Sequence, residues 1–246
     1  SEILTLPGVK SSIEEILRSD AVILGKSVRL VDDKIVIKGE LNVTTLYLAQ
    51  DQAGSLQFVE NTIPFTRTLD TDFLDVNFSE ENTILDSDIL LKSFDIAVSE
   101  DSDGENRCID IEAIITVDIQ CYENRCIAVL DDAFALNANL KIKRENCSVF
   151  EHIGETQNQF VLKEILKKPD DLPEIGEIIN ISCKPGVTDW NIEDGRIIVE
   201  GFVTNNVLYL SNNAENPVTC FASEIPFKHV FDRKNLDESV NISIKA

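Results

Sequence analysis

The 246-residue chain has no methionine, one tryptophan and two histidines, and its ten glycines and seven prolines are thinly spread. So few glycines leave no phosphate-cradling loop and no Gly-x-Ser-x-Gly elbow around a nucleophile. His152 and His229 fall in no metal-ligand or triad spacing. Basic residues are scarce too: 22 Lys and Arg stand against 44 Asp and Glu, a formal net charge of −22. Nucleic acid and anionic membranes are held by clusters of Lys and Arg. The densest basic run here is only Lys141, Lys143 and Arg144, so neither partner is expected. No apolar run approaches the roughly 20 residues of a membrane-spanning helix. A charged segment followed by an apolar one is also missing from the first residues, so no secretory signal is expected. Ser1 is small enough to be the residue exposed when an initiator methionine is removed.

What the chain does have is a repeat. Residues 35–70 recur without a gap at 197–232, 162 residues on, the distance from Gly39 to Gly201. Ile35, Leu46, Tyr47, Leu48, Ile63, Pro64, Phe65 and Asp70 reappear as Ile197, Leu208, Tyr209, Leu210, Ile225, Pro226, Phe227 and Asp232. That period is domain-sized and too long for a solenoid unit. The division it suggests is a first copy over 1–168 and a second over 169–246, with Pro169 the counterpart of Pro7. Residues 85–168 have no counterpart, so the second copy is expected to lack strands that the first possesses. The apolar face of Ile197 to Leu210 is then expected to lack intrachain cover, unless the two half-sheets close on each other within one chain. Such a face invites another chain, and a head-to-tail contact that does not close makes a filament.

The repeated stretch alternates apolar and polar residues, the signature of half-buried strands, and Ile109 to Ile119 alternates almost strictly. The fold class is therefore all-β. A capped helix over Ser11 to Leu17 is conceivable, but the second copy places Pro173 and Gly176 there, which favours a strand or irregular lead-in. Asp32-Asp33-Lys34 and Glu193-Asp194-Gly195 read as hairpin turns. Gly39 and Gly201, inside strands, mark a bulge or a close approach. Pro64 and Pro226 read as strand entries at a sheet edge. Tyr47, Tyr209, Phe65 and Phe227 recur in equivalent positions, which favours core packing over binding platforms. Asp70 and Asp232 read as turn or capping residues.

The acidic run 99–106 has the composition of a calcium loop without its spacing or its distal bidentate Glu, so a solvated hairpin tip is preferred. Six cysteines, Cys108, Cys121, Cys126, Cys147, Cys183 and Cys220, form no Cys-x-x-Cys pair, which makes structural zinc improbable. Cys121 and Cys126 flank Tyr122 to Arg125, a hairpin loop that would place them opposite each other as a candidate disulfide. Cys108 and Cys147 are further candidates for cross-linking, while Cys183 and Cys220 read as buried free thiols. No carboxylate pair stands out in an apolar setting common to both copies, so no catalytic residue, metal or cofactor is assigned and no enzymatic activity is expected.

The order Gly39, Leu46-Tyr47, polar turn, Ile63-Pro64-Phe65, repeated at Gly201, Leu208-Tyr209 and Ile225-Pro226-Phe227, resembles the SPOCS domain of clostridia and related spore formers. Val129-Leu130-Asp131-Asp132-Ala133-Phe134 is similar to the later Leu-Asp-Ala-aromatic element of that family. The resemblance implies two tandem β-sandwich-like repeats, the second truncated, in a structural protein of the spore envelope: coat, exosporium or surface appendage. It implies synthesis in the mother-cell cytoplasm, deposition on the spore, and copies of the chain itself or other spore-coat proteins as partners. The alternative is an adaptor for another coat morphogenetic protein, as SPOCS proteins with a peptidoglycan-binding LysM module are, although no LysM-like segment is visible. A hydrolase of coat or wall polymers is disfavoured by the missing site constellation.

Overall fold

The computed structural model describes the chain apart from residues 32–33, 53, 72–82, 124–127, 137–138, 140, 147–151, 214, 216, 233–239 and 246. It divides into two compact units, Ser1–Glu155 and Thr156–Ala246. The first holds β1 (Glu2–Thr5), β2 (Ile13–Val31), β3 (Lys34–Ala49), β4 (Leu56–Asp70), β5 (Thr83–Ser99) and β6 (Cys108–Glu123). The second holds β7 (Ile175–Glu193), β8 (Arg196–Ser211) and β9 (Val218–Asp232). Every pairing is antiparallel and no helix occurs among the described residues, so the chain is all-β.

In the first unit a meander, β2-β3-β4, packs against a second sheet ordered β1-β6-β5. The inward face of β3 carries Ile35, Ile37, Leu41, Val43, Tyr47 and Ala49, all buried. Ile89, Ile109 and Ile111 of the second sheet close over it. Full burial of one such aliphatic side chain is worth about 1.5–3 kcal/mol, so this interface dominates the unit's stability. β1 is four residues long and pairs with β6, from Glu2↔Ile111 to Thr5↔Cys108. Arg107 ties down the turn that follows β1, donating to the carbonyls of Lys10 (2.9 Å) and Pro7 (3.0 Å).

The second unit rebuilds the turns and lead-in of the meander. Ala49 N–H donates to Ser55 O and Ser211 N–H to Pro217 O, while Lys10 N–H donates to Pro7 O and Leu172 N–H to Pro169 O. Tyr47 is buried, its hydroxyl donating to Ser11 O at 3.3 Å; that of Tyr209 donates to the equivalent Pro173 O at 2.8 Å. Tyr47 Oη also lies 3.1 Å from Gln57 Oε1, and burial raises its pKa against a partial lowering by Arg107. The expected turn residues Asp70 and Asp232 end their strands in ion pairs, with Lys34 at 3.1 Å and Arg196 at 3.0 Å. Asp194 (φ 50°) and Gly195 (φ 72°) make the β7–β8 turn, a left-handed pair suited to a two-residue hairpin.

Pro64 is no strand entry. It lies mid-strand in β4 opposite Glu40, and Pro226 lies in β9 opposite Phe202. Both strands are sheet edges, where a residue without an N–H costs no ladder bond. The prolines bring Phe65 and Phe227 opposite Gly39 and Gly201. A Cβ on Gly39 would stand 2.5 Å from Cζ of Phe65, so glycine is there to admit the ring. At Gly201 the Phe227 ring comes to 2.7 Å and the backbone oxygen of Gly186 crowds the same space.

Overpacking of this kind costs about 1–3 kcal/mol. Gly39→Ala is expected at the low end, because the Phe65 ring can swing. Gly201→Ala is expected at the high end, because backbone blocks it as well. Urea melts read by circular dichroism, and by the emission of Trp190 for the second unit, test this. Equal and negligible shifts in midpoint for both variants would refute the close-approach account.

Candidate functional site: an uncovered sheet face

The two copies differ in what lies over the shared meander. In the first unit the inward face of β2 presents Ile13, Ile16, Ala21, Ile23 and Val28 to the common core, and β2 lies against β5. In the second unit no other sheet is present among the described residues. The 156–172 segment takes part of its place. Leu166 and Leu172 pack on Val207, Tyr209 and Phe221, and the Phe160 ring stacks on His229 at 4.5 Å beside Phe227 at 5.5 Å. Glu164-Ile165-Leu166 repeats Glu2-Ile3-Leu4 of β1 at the same offset, yet forms no strand. Its Leu166 nevertheless reaches the second core as Leu4 reaches the first.

Ile179 of β7 is buried, but the cover stops short of the side chains that β7 directs to the core side. Register with the buried side of β8 places Ile178 opposite Tyr209, Ile181 opposite Val207, Cys183 opposite Asn205, Pro185 opposite Val203 and Trp190 opposite Val199. All five therefore point to the face that is core in the first unit. Ile178 is nevertheless 45% exposed, Ile181 48% and Trp190 39%; Cys183 and Pro185 are exposed too. Each isoleucine left half in water forgoes on the order of 1 kcal/mol. β7 is also a sheet edge, with one side of its backbone unpaired within the sheet.

The expected cysteine chemistry is redistributed. Cys183 and Cys220 are exposed free thiols rather than buried ones: Cys183 sits on the uncovered face where the first copy has Ala21, and Cys220 on the opposite face. Cys108 is a buried free thiol with its sulfur 3.7 Å from Thr5 Oγ1. Cys121 is half-buried and free, and burial pushes its thiol pKa up. β6 runs on through Tyr122 and Glu123, so two residues of the expected hairpin loop are strand. Cys126 and Cys147 lie outside the described residues, and with them the Cys121–Cys126 pairing.

The acidic run 99–106 is a turn organised by Asp101. Its carboxylate accepts from the N–H groups of Asp103 (2.9 Å) and Glu105 (3.1 Å) and lies 3.8 Å from Arg107, while Gly104 adopts φ 79°. No group of three potential metal ligands occurs among the described residues. A cleft of about 470 Å³ lies between Val28–Leu30 and Thr83–Leu85, with His152 and Glu155 on its wall. Its described lining brings no two carboxylates together. No helix of the described residues is long and apolar enough to cross a membrane.

A family model described as SipL, SPOCS domain, matches residues 12–98 and again residues 174–246. No curated protein and no solved structure matches the chain. The two matched stretches contain the two meanders, β2-β3-β4 and β7-β8-β9.

Thiolates react only where reagent reaches them. In the native protein Cys183 and Cys220 are expected to take up a maleimide within minutes, and Cys108 only upon unfolding. Mass mapping after brief labelling tests this. Prompt labelling of Cys108, or protection of Cys183 in the monomer, would contradict the exposure of the β7 face.

Proposed function

The chain belongs to the SPOCS domain family, a family associated with sporulation, and from that premise we propose a structural protein of the bacterial spore envelope. In this reading it builds coat, exosporium or surface appendage by self-assembly, through head-to-tail β contacts between the second unit of one copy and the first unit of the next. It acts without catalysis and lies at the spore surface after synthesis in the mother-cell cytoplasm.

The observation that carries this reading is the β7 face. The first unit supplies a measure of what that face is worth when covered, and the second holds it in water. Isoleucine and tryptophan side by side on a sheet edge form the kind of patch that marks an interaction surface. The net charge of −22 opposes indiscriminate collapse, so association occurs where apolar complementarity overcomes repulsion, and salt and divalent cations modulate it.

The test is electron microscopy and light scattering of the purified full chain with nothing added. Ordered polymers are expected from the parent. Ile181→Asp, which places a charge on the face, is expected to raise the critical concentration at least about tenfold, the equivalent of 1.4 kcal/mol. Phe202→Asp, on the opposite face of the same sheet, is expected to leave it unchanged. A folded parent that stays monomeric at high concentration removes the assembly reading. Polymerisation only after addition of another spore-coat protein would replace it with an adaptor role.

A further inference from the structure

We propose that the occupant of the β7 face is the segment 128–136 of a second copy, laid along β7 where β5 lies against β2 in the first unit; this rests on the assembly reading above. In each copy that segment is an exposed apolar stretch. Val129 is 77% exposed, Leu130 85%, Phe134 89% and Leu136 90%, and no residue from 128 to 136 belongs to a strand. Four large apolar side chains in nine residues, all in water, form a second unexplained apolar feature on the same chain. It lies in the first unit, and the open face lies in the second. One donor and one acceptor per copy match in number, so every copy can both give and receive, and the contact propagates head to tail.

The dimensions agree. Nine extended residues span about 30 Å, close to the distance along β7 from Ile181 to Trp190. Extended, the segment places Leu130, Phe134 and Leu136 on one side, over the stretch of the face bounded by Ile181 and the ring of Trp190. Charge agrees as well. The chain's densest basic run, Lys141, Lys143 and Arg144, follows the segment directly. β7 itself carries Glu177, Asp189 and Glu193 against one cation, Lys184. Arg144 rests 3.4 Å from Asp132 and Lys143 pairs with Glu145. Both are exposed pairs that exchange at little cost.

The experiment uses the full chain carrying Leu130→Asp, Phe134→Asp and Leu136→Asp together. All three sites are at least 85% exposed, so folding is expected to be intact, with an unchanged circular dichroism spectrum as the control. This variant is expected to stay monomeric where the parent assembles. A synthetic peptide of residues 128–146 is then titrated into it. Trp190 is the only tryptophan and sits on the face, so its emission reports occupancy directly. A saturable blue shift is expected, weakened between about 50 and 500 mM salt and lost when Ile181→Asp is added. A variant that assembles like the parent, or a Trp190 signal that ignores the peptide, overturns the segment while leaving self-assembly standing. A parent chain that never assembles overturns both, whatever the peptide does.

Discussion

Everything in this protein depends on a three-stranded meander having one face that water disfavours. Antiparallel strands satisfy their own backbone, but three of them cannot bury a side chain between layers. A second layer is therefore obligatory. The first unit obtains it from β1, β5 and β6, and the result is a two-sheet core centred on β3. The placement of β1 shows how local that need is. Four residues at the start of the chain cross to β6, more than a hundred residues away, and the Arg107 guanidinium holds their exit turn in place. Cover comes from wherever the chain can reach.

Within the meander, two devices keep geometry constant while the cover changes. A buried tyrosine at position 47 or 209 joins the sheet to its own lead-in through a carbonyl acceptor, fixing where the chain enters the first strand of each meander. A glycine facing an aromatic ring lets the edge strand press against the central one without a bulge in that pair. Both act inside the sheet and make no call on the second layer. That independence is why the second unit keeps the same hydrogen-bonded turns although its second layer differs.

This division also explains what was legible in the sequence. Alternation and the 162-residue offset disclosed β3 and β8 and the hairpin turns that lead into them, because a period of two and a repeated register are local properties. The start of the first strand, by contrast, read equally as strand or irregular lead-in. Gly39 and Phe65 were visible as recurring residues, but their contact was not. It joins positions 26 apart through strand pairing, and Pro64 between them suggested a strand beginning where the edge location permits a strand to continue. The exposure of Cys183 was illegible for a different reason. Its apolar neighbours Ile181 and Pro185 are those of a core strand, and burial is decided by a layer that the local pattern does not encode. The missing cover was thus foreseeable, but on the wrong strand: Ile197, Val199, Val207 and Tyr209 of β8, expected to stand uncovered, are buried, and the side chains left in water are those of β7.

Comparing the copies position by position shows where they were free to diverge. The glycine, the tyrosine and the Ile-Pro-Phe element are the same in both. On the inward side of the first strand, Ser19, Ala21, Ile23 and Val28 are replaced by Ile181, Cys183, Pro185 and Trp190. A face surrendered to water would be expected to trade apolar residues for charged ones, since each half-exposed isoleucine or tryptophan costs solubility and returns nothing. Here the serine has become isoleucine and the valine tryptophan, both with more apolar surface than what they replace, while the isoleucine has become the smaller proline. None of the four became charged. Side chains of that size fit a different covering surface from that of the first unit, one with room for an indole where the first copy has a valine. The substitutions therefore describe a face that is reshaped for contact rather than abandoned.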